Sequence, residues 1–125
     1  MSKKPLLICV VGATAIGKTT LSIALAKAFD TEIISADSRQ FYTSMNIGTA
    51  VPSTQELAAA PHHFIQHKSI FDTYSVGDFE REALLKLETL FRKKSTAILV
   101  GGSGLYVDAV INGLDHFPDI EIFNP

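Results

Sequence analysis

This sequence is short of cysteine, of arginine and of charge in general. Its one cysteine, Cys9, excludes an internal disulfide and fits a reducing cytoplasm. Arginine occurs only at Arg39, Arg81 and Arg92, and charged residues make up 19% of the chain. The formal net charge of −2 leaves no basic footprint of the kind that nucleic-acid binding produces. No apolar run reaches the ~18 residues of a membrane-crossing helix. The first residues, Met1-Ser2-Lys3-Lys4, are basic, but only the short run Leu6 to Val11 precedes Gly12, too little for a signal peptide. Internal repeats and low-complexity segments are absent too. What remains is 125 residues, 46% hydrophobic, which bounds the chain to one folded cytoplasmic domain with a real core.

The most informative stretch runs from Leu6 to Phe29. The apolar run Leu6-Leu7-Ile8-Cys9-Val10-Val11 predicts a strand, and Leu21 to Phe29 predicts a helix. Between them lies Gly12-Ala13-Thr14-Ala15-Ile16-Gly17-Lys18-Thr19, a G-x-x-x-x-G-K-[ST] phosphate-binding loop in its required strand-to-helix setting. In such a loop the backbone N–H groups converge on phosphate oxygens, helped by the positive end of the helix that follows. Lys18 adds a full positive charge, and the Thr19 hydroxyl is a ligand for Mg²⁺. A chance Gly-rich turn is the bland alternative, and the flanking strand and helix weigh against it. The loop leaves open which phosphate compound is held.

Thr31 to Ile34 predicts a second strand, giving a βαβ unit and an α/β, three-layer fold with a mainly parallel sheet, P-loop NTPase-like. Ligands in such sheets sit beyond the carboxyl ends of the strands. Ser35 to Gln40 therefore belongs to the same rim as the loop, and Asp37 is the carboxylate of interest. It is either a general base or metal partner facing the phosphate pocket, or a helix or turn cap. Residues Phe41 to Ala60 form a long irregular stretch, with a short helix from Thr54 to Ala60 that Pro61 ends. His62 to His67 predicts a third strand. Its histidines invite a metal reading, but neighbours on a strand point to opposite faces, so structural or rim roles fit better.

Ser75-Val76-Gly77-Asp78 has the form of a capping box with Asp in the last position. The helix behind it, Val76 to Lys94, repeats apolar residues at Phe79, Ala83, Leu84, Leu87, Leu90 and Phe91, one buried face. Thr96 to Val100 predicts a buried strand followed by Gly101-Gly102-Ser103-Gly104, and Leu105 to Ile111 a helix closed by Asn112-Gly113. The strand ending Leu99-Val100 brings glycines and Ser103 to the rim where a P-loop hydrolase would carry an Asp for Mg²⁺. Close backbone approach to a ligand explains those glycines better than hydrolysis. From Leu114 to Pro125 no helical or strand period is readable, so 1–113 is the expected core and 114–125 a tail.

Taken in order, the rim segments resemble one family. Gly12 to Thr19, Ile-Ile-Ser-Ala-Asp-Ser-Arg-Gln-Phe-Tyr (Ile33 to Tyr42), Asn-Ile-Gly-Thr-Ala (Asn46 to Ala50) and Leu-Val-Gly-Gly-Ser-Gly-Leu-Tyr (Leu99 to Tyr106) are similar to the tRNA dimethylallyltransferases, also called isopentenyl-tRNA transferases. Pro61-His62-His63 and Ser75 to Phe79 match further stretches, so the likeness covers nearly all of Leu6 to Leu114. It implies transfer of a dimethylallyl group from dimethylallyl diphosphate to N6 of an adenosine beside the tRNA anticodon. The loop would hold the diphosphate leaving group, with Lys18 and Mg²⁺ at Thr19 stabilising its charge. By the same resemblance Asp37 acts on the N6 proton, and Ser103, where the family usually has Thr, keeps the hydroxyl near the reacting region. Ser38, Arg39 and Gln40, with Asp37 and Ser103, would meet the target adenosine, flipped from the anticodon loop.

Family members are much longer, with a helical insertion that grips the anticodon stem and a later Gln-Arg motif. The resemblance thus implies an N-terminal core, incomplete in its sheet at the C-terminus, that folds at least in part, modifies tRNA poorly or not at all alone, and is a monomer in its full-length form. Two relatives in chemistry compete. A small-molecule P-loop kinase would bind ATP at the same loop, though no Arg-rich lid is present. An adenylate dimethylallyltransferase would modify a free nucleotide. A nucleotide-binding regulatory module is the non-enzymatic alternative, against which Asp37 on the rim counts mildly.

Overall fold

The computed structural model describes residues 5–11, 18–36, 54–64, 75–101, 105–114 and 120–123. Among these described residues nine elements follow in chain order: β1 (Leu6–Val11), α1 (Lys18–Ala28), β2 (Ile33–Ser35), α2 (Thr54–Ala59), β3 (His62–His63), α3 (Val76–Phe91), β4 (Thr96–Gly101), α4 (Leu105–Gly113) and β5 (Glu121–Phe123). The strands form one parallel sheet in the order β3-β2-β4-β1-β5. β1, and β4 from Ala97 onward, are apolar without interruption because a parallel sheet is covered on both faces.

Two clusters show the covering layers. Leu7, Cys9, Ile34, Leu99 and Ala97 point to one face, where Phe79, Ala83, Leu87 and Leu90 of α3 and Val107 and Val110 of α4 close over them. Ile8, Val10, Ile33 and Ile98 point to the other face, beneath Ala26 and the half-buried Ile23 and Leu25 of α1. Odd and even positions of β1 thus part to opposite faces, as a two-residue period demands. The expected three-layer α/β architecture is the one observed.

The boundaries differ from expectation at several places, the main ones for local reasons. β2 starts at Ile33 rather than Thr31, because Thr31 finishes α1. Its N–H donates to the Ala26 carbonyl (2.8 Å) while the Asp30 N–H donates to that of Lys27 (3.3 Å). Asp30 lies in the left-handed region with φ 51°. That is a Schellman stop made with aspartate in place of glycine. β3 is confined to His62–His63, since Phe64 turns out of the extended region at φ 68°; Ile65, Gln66 and His67 lie outside the described residues.

The third difference is Gly113, expected to close α4 from outside and found within it. A Cβ at Gly113 would stand 2.7 Å from Leu84 Cδ1 and 2.8 Å from Glu80 Oε1, so this glycine serves the approach of α4 to α3. The fourth is β5. The stretch without readable period contributes an edge strand, with Leu6 opposite Glu121 and Ile8 opposite Phe123. By contrast, α3 begins as its sequence predicts. Asp78 N–H donates to Ser75 Oγ (3.1 Å) and Ser75 N–H to Asp78 Oδ2 (2.9 Å). α3 stops at Phe91 rather than Lys94, where Lys93 and Lys94 N–H groups both turn back to the Leu90 carbonyl.

Candidate active site

Strand order gathers the rim. β4 lies between β1 and β2, and all three run in the same direction. Val11 is level with Gly101, and Ser35 with Val100, so three carboxyl ends finish side by side. The stretch after β1 is the phosphate loop, the residue after Ala36 is Asp37, and the stretch after β4 is Gly102-Ser103-Gly104. Val11, Ser35 and Gly101, far apart in sequence, are therefore carried to one edge by register alone.

Lys18 opens α1, and its ammonium Nζ donates to the Gly101 carbonyl at 3.1 Å. This contact ties the head of the loop's helix to the end of β4 across 83 positions of sequence. Ala36 closes the other side, its N–H donating to the Val100 carbonyl at 2.7 Å. The N-terminus of α1 is thus set at the rim with its cationic residue, the arrangement by which helices receive anions.

Of the residues singled out from sequence, Lys18 is found at this rim. Gly12, Ala13, Thr14, Ala15, Ile16 and Gly17 lie outside the described residues, as do Asp37, Ser38, Arg39, Gln40 and Ser103. Thr19 falls in the first turn of α1, and its side chain lies outside the description. His62 and His63 occupy the far edge of the sheet, and His67 lies outside the described residues. His62 Nδ1 donates to the Ala60 carbonyl (2.8 Å), and His63 Nε2 meets Glu32 Oε1 at 2.5 Å. Sequence reasoning passed over the Gly101 carbonyl. Its one signal was position, the first glycine of the pair at the strand's end.

Cys9 lies fully buried in β1, and burial pushes its thiol up to about 11. It is therefore a core residue rather than a nucleophile. Among the described residues no helix is long and apolar enough to cross a membrane.

A parallel sheet with helices on both faces, and a lysine at the head of the helix after β1, define an α/β protein of the P-loop type. The IPP transferase family model matches residues 40–124, and the chain belongs to that family. It is 64% identical over 115 residues to the tRNA dimethylallyltransferase of Flavobacterium psychrophilum, covering 92% of this chain and 38% of that protein. The tRNA dimethylallyltransferase of Cytophaga hutchinsonii is 46% identical over 114 residues, covering 91% and 38%. Among solved structures, the full-length tRNA isopentenylpyrophosphate transferase of Bacillus halodurans superposes with a TM-score of 0.79 at 43% identity. That match covers 88% of this chain and 36% of the other. A eukaryotic dimethylallyltransferase acting on tRNA gives a TM-score of 0.77 at 34% identity, covering 84% and 26%. The chain spans about 38% of the length of the curated relatives it matches.

Proposed function

We propose that this chain carries the diphosphate-binding core of a tRNA dimethylallyltransferase. The reaction moves the dimethylallyl group of dimethylallyl diphosphate to the exocyclic N6 of an adenosine beside the tRNA anticodon. The observation that carries the reading is the Lys18 ammonium on the Gly101 carbonyl, at the head of α1 and level with the ends of β1 and β2. Membership of the family supplies the substrate class.

The chemistry asks three things of the chain. The N6 lone pair forms a bond to C1 of the dimethylallyl group as the C1–O bond breaks, its electron pair leaving on the diphosphate. Lys18 and the backbone N–H groups of Gly12 to Thr19 stabilise the charge that builds there. N6 then holds a proton too many, and the Asp37 carboxylate takes it. Ser38, Arg39, Gln40 and Ser103 orient the adenosine.

Mg²⁺ suits this arrangement on donor chemistry. Thr19, directly after Lys18 in the first turn of α1, offers a hydroxyl oxygen of the hard kind the ion takes together with phosphate oxygens. Bound there, the ion would offset part of the departing charge. With a net charge of −2, the chain has little to grip a polyanion, and the tRNA backbone is assigned to the part of the relatives that it does not span. The proposed enzyme works in the cytoplasm as a monomer.

A chimera tests the proposal. This chain is joined to the remaining length of the Flavobacterium psychrophilum relative and expressed in bacteria lacking their own tRNA dimethylallyltransferase. Mass spectrometry of the tRNA should show dimethylallyl adenosine, lost on Asp37→Asn while diphosphate binding persists. A folded chimera that leaves the tRNA unmodified contradicts the proposal, and loss of folding on Asp37→Asn would mark that residue as a cap.

A further inference from the structure

The proposed chemistry assigns nothing to Gly101, yet three segments of the rim meet there. Its carbonyl receives the Lys18 ammonium at 3.1 Å. On its other side a Cβ fits only if its neighbours give way by a few tenths of an ångström. A Cβ at Gly101 would stand 3.0 Å from the Ala36 carbonyl oxygen, 3.0 Å from Val107 Cγ2 and 3.2 Å from the Ala36 carbonyl carbon. Ala36 has little freedom to retreat, because its N–H is bonded to Val100 and the preceding Ser35 is paired in the sheet. Val107 is held as well, buried in α4.

We infer that Gly101 is a positioning residue for the transfer reaction: it fixes the Lys18 ammonium for the diphosphate and lets the end of β2 close against the same strand. The inference rests on the diphosphate reading of the rim. A lysine stem is flexible, and pinning its end before the ligand arrives lowers the ordering cost of binding. A Cβ at Gly101 drives Ala36 and β4 apart, which turns the carbonyl and carries Lys18 with it.

A double-mutant cycle tests this, with inorganic diphosphate and Mg²⁺ titrated by calorimetry into the 125-residue chain and its variants. Gly101→Ala should weaken binding about tenfold, the scale of a misplaced charged hydrogen bond. In a Lys18→Ala background the same substitution should cost less than about twofold, because the group it positions is gone. Equal losses in both backgrounds mean a merely structural effect and overturn the inference, as does the absence of any loss. Should Gly101→Ala fail to fold, the carbonyl ¹³C resonance of Gly101 decides, compared between the unsubstituted chain and Lys18→Ala. It should move, and an unmoved resonance overturns the inference. Lys18-dependent binding that ignores Gly101→Ala removes this inference alone, whereas no binding by the unsubstituted chain removes the diphosphate reading with it.

Discussion

Phe79 should be the most costly single truncation among the described core positions. It is the largest fully buried side chain there and meets two other rings edge to face. Phe64 lies 5.4 Å away at 76° and Tyr106 5.5 Å away at 70°. The ring thus joins the end of β3, the first turns of α3 and the start of α4, which directly follows the Gly102-Ser103-Gly104 rim. Truncation to alanine removes the buried surface and leaves a cavity, worth about 3–5 kcal/mol in a close-packed core. Phe79→Leu keeps most of the volume but loses both ring contacts, each worth about 0.5–1.5 kcal/mol, so about 1–3 kcal/mol is expected. Urea denaturation at pH 7 reads both. With an m-value of about 2 kcal/mol per molar, Phe79→Ala lowers the midpoint by about 2 M. Leu85→Ala, at a side chain 64% exposed, serves as the control and should change stability by less than about 0.5 kcal/mol. A Phe79→Ala midpoint no lower than that of Leu85→Ala would refute this account of the α3–α4 core.

Three further outcomes follow from local chemistry. Ser75→Ala removes the hydroxyl half of the capping box and should cost about 1 kcal/mol by urea denaturation. Asp78 is held below the usual carboxylate range, first by the Ser75 N–H and hydroxyl, then by the Arg81 guanidinium. A depressed folded-state value stabilises above the unfolded value of about 3.9 and is lost as pH falls through the folded one. The stability gap between the unsubstituted chain and Asp78→Ala should therefore be present at pH 7 and shrink in strong acid; a gap that widens in acid contradicts the pairing. Cys9, with its thiol pushed up to about 11, should react with a disulfide reagent at neutral pH far more slowly in the native chain than in denaturant. Equal rates would mean that β1 is not the buried strand described.

Much of this fold is legible in the sequence where a signal is local and repeated. The unbroken apolar runs of β1 and β4 need both sheet faces covered, and the four-residue box at Ser75 is complete in itself. α3 shows its buried face because sixteen residues give the helical period time to repeat. β5, with three residues, gives no period, and its place is fixed by pairing with β1, which no local pattern encodes. Asp30 was unreadable as a helix stop because the left-handed turn is usually announced by glycine, and here two backbone hydrogen bonds hold an aspartate there. Gly113 misled in the opposite direction: a residue that usually ends helices is present for a close helix approach instead. At the rim, the motif identified Lys18, while the Gly101 carbonyl that receives it belongs to backbone, which carries no side-chain signature.

On the proposed function, the head of α1 receives a prenyl diphosphate. The most direct test is calorimetric titration of this chain with Mg²⁺ plus dimethylallyl diphosphate and, separately, with Mg²⁺ plus ATP, beside Lys18→Ala. Tighter binding of dimethylallyl diphosphate than of ATP is expected, weakened about tenfold or more in the variant. A clear preference for ATP, or prenyl diphosphate binding that survives Lys18→Ala unchanged, would contradict the proposal.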